Sequence, residues 1–266
     1  MKIYELCSDF EDSLAEADGF ICGTEYEIED VKQLRTPEGD VLSVPTLPDG
    51  EALWFGKVGY MRDGSLRNNG VEIVTAPLTF EESLEWFDII HNELCLVGSA
   101  AYSPRTSTHV HVNVLPWTET QLKGFVLLYA LLEPFYFEMV PGRKHNIHCV
   151  PLNFTTLPTK YKESLGHLIQ IWSKYSAFNL LPVGKQGTVE FRHLEGTGSK
   201  QRYKQWLTSI KSLWDYVNKR DAFSPVDVKY LLENYTTKEI QEIILGNYHI
   251  KPDYSVSTID VKLAFI

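Results

Sequence analysis

Cysteine is scarce in this sequence and never falls in C-x-x-C spacing: Cys7, Cys22, Cys95 and Cys149 stand far apart. That speaks against a zinc knuckle or a disulfide framework and for reduced, partly buried thiols in an intracellular compartment. Long apolar runs are missing as well. No segment approaches the roughly 18 uninterrupted apolar residues of a membrane span, and Met1–Phe10 has no basic start leading into an apolar stretch. A cytoplasmic protein, neither secreted nor anchored, is therefore expected. Basic charge is not in excess: the formal net charge is −10. This argues against gripping nucleic acid by phosphate neutralisation, and an anionic ligand would need metal ions or clustered arginines. Internal repeats and low-complexity linkers are absent too, so nothing requires a second domain.

What is present is ample apolar material for a core, 44% of 266 residues, and one stretch around which the chain is organised. As a strand, Phe20–Glu29 puts Phe20, Cys22, Tyr26 and Ile28 on one face and Glu25, Glu27 and Glu29 on the other. Carboxylates aligned in this way repel one another and resist joint ionisation, so the sequence must supply a cation, a basic partner or water. Three later stretches repeat the alternation. Ser107, His109, His111 and Asn113 face one way in STHVHVNV, with Val110, Val112 and Val114 between them. Thr188, Glu190 and Arg192 alternate with Val189 and Phe191, and Glu72 lies on the second of two strands in the stretch 54–78. Asp63-Gly64 and Asn69-Gly70 supply the chain reversals there.

The remaining segments read mainly as support. Residues 1–17 suggest a short acidic helix, and 33–54, with three prolines, a loop or irregular hairpin long enough to form a cover. Helical spacing is expected over 79–97, starting near Thr79 or Phe80, and over 119–140, where the helix is bent or ended near Pro134. Further helices are expected over 156–175, 201–220 and 224–235, the last starting at Ser224-Pro225, and from Thr236 or Thr237 onward. Strands with one polar face, backed by helices, make an α+β fold whose antiparallel sheet has one open side.

That open side gathers Glu25, Glu27, Glu72, His109, His111, Glu190 and Arg192. Carboxylates with one or two imidazoles suit Mg²⁺ or Mn²⁺ better than zinc, which favours thiolates. Two such cations could bridge the oxygens of a nucleotide triphosphate and leave Arg192 or Arg143 to stabilise a transferring phosphoryl group. Taken singly, H-x-H can be two hydrogen-bonded histidines, Glu190 with Arg192 an ion pair, and Asp63-Gly64-Ser65 an ordinary turn. Joint occurrence on alternating strands favours the site.

In order, GTEYEIE, DGSL with VEIVTAPL, STHVHVNV, PGRKHNIHCVPL and FNLL with TVEFRHLEGT resemble the amidoligase family, within the superfamily of glutamine synthetase and glutamate–cysteine ligase. The likeness spans about residues 18–200 of a single domain over 1–266, leaving a helical C-terminal extension from about 200. It implies a curved, mostly antiparallel, glutamine synthetase-like sheet with helices on the convex face. It also implies ATP-dependent ligation: a carboxylate is phosphorylated and an amine attacks the acyl phosphate. The resemblance makes Glu25 and Glu72 ligands of one metal, with Glu27 bridging or serving the other, and His109 and Glu190 ligands of a second, so that two or more Mg²⁺ or Mn²⁺ ions are expected. It makes His111 a hydrogen-bond partner of a phosphate, Arg192 and Arg143 phosphate or transition-state clamps, Asp63 a binder of the amine or carboxylate substrate, and Asn179 a support for its loop.

The family occurs in bacteria and their phages, which implies a small molecule, peptide or cell-wall fragment as acceptor and, for a phage protein, the host cytoplasm. Compared with glutamine synthetases the chain lacks an extra N-terminal domain, so a monomer or small oligomer could suffice. Two other readings stand beside the ligase: a metal-dependent phosphotransferase or phosphohydrolase on the same acidic face, and a non-catalytic binding protein that keeps the fold.

Overall fold

A computed structural model describes residues 1–152, 162–220 and 222–246, so the first part of the helix expected over 156–175 lies outside the described residues. In chain order the strands are β1 (Ile21–Ile28), β2 (Val31–Arg35), β3 (Val41–Leu42), β4 (Leu53–Phe55), β5 (Val58–Met61), β6 (Val71–Thr75), β7 (Leu78–Thr79), β8 (Cys95–Val97), β9 (Ser107–Asn113), β10 (Phe178–Asn179) and β11 (Thr188–Glu195). The α-helices are α1 (Asp12–Ala15), α2 (Phe80–Ile89), α3 (Glu119–Met139), α4 (Leu165–Gln170), α5 (Val183–Gln186), α6 (Lys200–Asn218), α7 (Pro225–Asn234) and α8 (Thr237–Leu245). No described helix is long and apolar enough to cross a membrane. The chain divides into two compact units. One takes Met1–Phe20, Asn113–Phe191 and the chain from Thr208 onward; the other takes Ile21–Val112 and Arg192–Leu207.

The second unit is built on β1, which pairs antiparallel with β6 on one side and with β9 on the other. Its strand order is β11-β9-β1-β6-β5-β4, with β11 contributing its C-terminal half and β7 lying alongside β1. One face of β1 is covered. The Cys22 thiol lies 3.2 Å from the Ser83 hydroxyl on α2, and the Thr24 hydroxyl 2.8 Å from the Tyr203 phenol on α6. Tyr26 meets Phe87 edge to face at 5.8 Å, and Phe87 stacks on Tyr203 at 4.8 Å. Helix α2 starts where it does because Thr79 and Glu82 form a reciprocal cap, each side chain taking the other's backbone N–H.

One expectation is corrected here. The helix expected over 79–97 passes from α-form to π-form at Ile90–Leu94, and Cys95–Val97 leaves it as strand β8. The run read as a loop or irregular hairpin over 33–54 does hold a hairpin, formed by β2 and β3, and β8 pairs with its other edge. One set of pairings joins the two stretches. Leu34 pairs with Leu42 and with Cys95, a partnership between segments some sixty residues apart in sequence, to which local periodicity is blind.

The first unit is organised on α3, which is buried along most of its length, as its nearly continuous apolar sequence requires. Tyr129 stacks on Phe178 of β10 at 4.3 Å, and Phe125 lies edge-on to Phe191 of β11 and to Trp117. Gly124 is where the chain at Phe223 comes closest, since a Cβ there would sit 2.7 Å from the Phe223 ring. The helix runs on past Pro134 to Met139 and does not end at the proline.

Next to Pro134, the buried Glu133 accepts the Tyr129 hydroxyl at 2.8 Å and the Leu152 amide at 3.0 Å. Burial pushes its carboxyl up to about 7, against the opposing effect of those two hydrogen bonds. Since the folded-state value lies above the ordinary value of 4.5, the stability this group contributes is full below that value and is lost as pH rises through the folded one. Urea midpoints should therefore fall between about pH 4.5 and 7, and Glu133→Gln should flatten the fall. Equal slopes in the two proteins would assign the effect to another group.

Candidate metal and active site

The pairing of β1 sets the site. Glu27 stands opposite Glu72 of β6, Glu25 opposite His109 of β9, and Gly23 opposite His111. Because strand side chains alternate, these groups share the face of β1 turned away from Tyr26 and α2. Asp63 reaches the same face from the connection between β5 and β6. Carboxylate oxygens of Glu27, Asp63 and Glu72 all lie within 4.8 Å of one another.

Several bonds fix the connection that carries Asp63. Its Oδ1 accepts the Ser65 amide at 2.7 Å, Glu29 accepts the Arg67 amide at 2.7 Å, and the Asn69 side chain donates to the Val31 carbonyl at 2.8 Å. Asn68 and Asn69 both hold left-handed backbone, at φ 51° and 60°, a conformation that asparagine tolerates better than most side chains. The loop walls a cleft of about 550 Å³ lined by Asp63, Arg62, Arg67 and Asn68 among others.

Like charges directly across a strand pair destabilise it, and here a third carboxylate adds to the load. The donor set fits a hard cation. An octahedral Mg²⁺ with oxygens about 2.1 Å away spaces its ligands by roughly 3–4 Å, which falls within the 4.8 Å bound on the separations of the three side chains.

Two residues along β1, the Glu25 carboxylate lies 3.0 Å from His109 Nδ1 and 3.0 Å from His111 Nε2. Burial works to raise the Glu25 carboxyl, but the pull of His111 and His109 together outweighs it and holds the group well below the ordinary carboxylate range. The carboxylate oxygens of this set favour Mg²⁺, and its nitrogen donor is well tolerated by Mn²⁺. Between the two groups sits Ser107, whose hydroxyl donates to Glu27 Oε2 at 2.5 Å and lies 2.8 Å from His109 Nε2.

Of the residues singled out in the sequence, Glu25, Glu27, Asp63, Glu72, His109 and His111 thus meet on one face of the second unit. Arg192 also belongs to that unit, half-buried on β11. Arg143, Asn179 and Glu190 belong to the first unit. There the Asn179 amide donates to Glu190 Oε2 at 2.7 Å and its carbonyl oxygen accepts the Leu181 amide at 3.0 Å, so Asn179 orients a carboxylate as well as its loop. Arg143 is buried on the single turn Pro141–Arg143. Glu29, the last member of the acidic stripe, serves the Arg67 amide. Sequence reasoning gave no role to Ser107, although its place in the S-x-H-x-H alternation carried the signal, and it did not bring Asp63 to Glu27 and Glu72.

The chain belongs to the amidoligase family: residues 23–214 match the family described as "Putative amidoligase enzyme". Comparison with curated proteins returns no match. Among solved structures, a bifunctional glutathione synthetase from Pasteurella multocida is similar at a TM-score of 0.42 and 12% identity, over 94% of this chain and 48% of that one. The chain spans about half the length of that protein, and the likeness is too slight to carry an argument.

Repulsion at the carboxylate trio has a measurable sign. Glu72→Gln should raise the unfolding free energy of the metal-free protein by about 0.5–1 kcal/mol, and should reduce the stabilisation that added Mg²⁺ gives. Destabilisation by this substitution in metal-free urea titrations would contradict the reading.

Proposed function

We propose that the chain is an ATP- and Mg²⁺-dependent carboxylate–amine ligase that forms an amide through an acyl phosphate, on a curved glutamine synthetase-like sheet with helices behind it. The observation that carries this reading is the convergence of Glu27, Asp63 and Glu72 beside the Glu25–His109 pair, in a chain of the amidoligase family. A protein with net charge −10 repels a nucleotide tail unless cations intervene, and these side chains are suited to hold them.

In this reading Glu27, Asp63 and Glu72 hold one cation, and Glu25 and His109, with Glu190 as the further carboxylate expected from the sequence, hold another. Bound there, divalent ions would neutralise phosphate charge and spread the charge of the transferring phosphoryl group. His111 hydrogen-bonds a phosphate oxygen, and the guanidinium groups of Arg192 and Arg143 clamp the charge that develops. A carboxylate is a poor electrophile with a poor leaving group, and phosphorylation remedies both if water is kept out. Asp63 also lines the cleft, which in this reading admits the amine or the carboxylate substrate.

The test is release of ADP from ATP by acids crossed with amines, followed by mass measurement of the product. Turnover should need both partners and yield an amide. Release of phosphate without an amine would favour a hydrolase, and a phosphorylated stable product a kinase. Glu27→Gln should abolish turnover with little loss of folded protein, since it removes ligand charge and not core volume. Arg192→Lys should lower kcat/KM at least tenfold, because a point charge does not reproduce a planar two-donor clamp. Wild-type kinetics in the Arg192 variant would make that residue structural.

A further inference from the structure

Ser107 is buried at the start of β9, beside Glu27. Its hydroxyl touches one member of each ligand group: Glu27 Oε2 at 2.5 Å and His109 Nε2 at 2.8 Å. A hydroxyl has a single proton to give, and an ionised carboxylate can only accept. With that proton directed to Glu27, the contact to His109 is a hydrogen bond only if Nε2 carries the ring proton. A neutral imidazole protonated at Nε2 has its lone pair on Nδ1, which here lies 3.0 Å from Glu25 Oε2. Two acceptors facing each other at that distance need a proton or a cation between them.

We propose that Ser107 is a positioning residue that couples the two ligand groups, orienting the Glu27 carboxylate and fixing the His109 tautomer that turns Nδ1 toward Glu25. The inference rests on the reading above that Glu27 and His109 hold metal, and adds to it the residue that sets their orientation. Metal-binding histidines commonly depend on such a partner at the second ring nitrogen, and losing it typically weakens metal affinity about 10–100-fold. Ser107 differs from an ordinary partner because the same oxygen restrains a ligand of the neighbouring group. Disturbing it loosens both at once.

Direct Mn²⁺ binding, followed by the electron paramagnetic resonance of the free ion, tests this without turnover. Ser107→Ala should raise the Mn²⁺ dissociation constant about 10–100-fold, and Ser107→Thr, which keeps the hydroxyl, should stay within about threefold of wild type. Should the alanine variant fail to fold, Ser107→Cys, a weaker donor of similar size, should bind Mn²⁺ more weakly than both wild type and the threonine variant. In the Mg²⁺-saturated wild type, nitrogen NMR of His109, assigned by its loss in His109→Asn, should report a ring protonated at Nε2 alone, and any other state of the ring overturns the proposal. So does an alanine variant that binds Mn²⁺ like wild type, or a threonine variant weakened as much as the alanine one, which would mark packing as the cause. A wild-type protein that binds no Mn²⁺ would instead remove the metal reading on which the inference stands.

Discussion

Charge repulsion along one side of β1 is the constraint to which the other features of this unit respond. Glu25 and Glu27 project from the same face, Glu72 stands directly across from Glu27, and Asp63 is brought in beside them. No chain gathers such groups by accident of hydrophobic collapse, because desolvating them together is unfavourable. What holds them is the opposite face of the same strand, where Cys22, Thr24 and Tyr26 are fastened beneath α2 and α6. A slip of one residue would exchange the two faces, sinking the carboxylates among aromatic rings and lifting Tyr26 into water. Core and acidic face therefore enforce a single register between them.

Period-2 patterning made β1, β9 and β11 legible before any coordinates, because polar and apolar residues alternate along them, and the turn signals Asp63-Gly64 and Asn69-Gly70 marked β6. The helix starts at Thr79, Ser224 and Thr236 were legible for a local reason, since a capping box is written within four consecutive residues. What escaped depends on partners distant in sequence. β8 becomes a strand because β2 is there to receive it, and a reading of 79–97 alone sees only apolar residues at helical spacing. Pro134 read as a bend or an end, and the helix does not end there, because along a helix so deeply buried packing outweighs one missing hydrogen bond. In the site the residue types were legible and the contacts were not. Ser107 is an ordinary strand serine until Glu27 and His109 flank it, and Asp63-Gly64-Ser65 is an ordinary turn until β6 brings Glu72 alongside.

The two clusters differ in a way that matters for chemistry. Glu27, Asp63 and Glu72 offer oxygen alone, and Asp63 lines the cleft, whereas Glu25 is engaged by two imidazoles on the β9 side. Asp63 arrives on a connection whose backbone is held by Glu29 and Val31 and passes through two left-handed asparagines. Those bonds and turns bring its carboxylate within 4.8 Å of those of Glu27 and Glu72.

The interleaved path of the chain has a consequence for synthesis. The unit that carries β1 takes its last strand and the Tyr203 helix from Arg192–Leu207, some eighty residues after the rest of it has been made. Until that stretch leaves the ribosome, β9 lacks its neighbour and Phe87, stacked on His91, lacks Tyr203, so the nascent unit waits with an unsatisfied sheet edge and an uncovered aromatic patch. Such surfaces recruit chaperones or stray β-strands. A fragment ending at Val112 would carry most of the acidic face and lack the segment that closes over its other side.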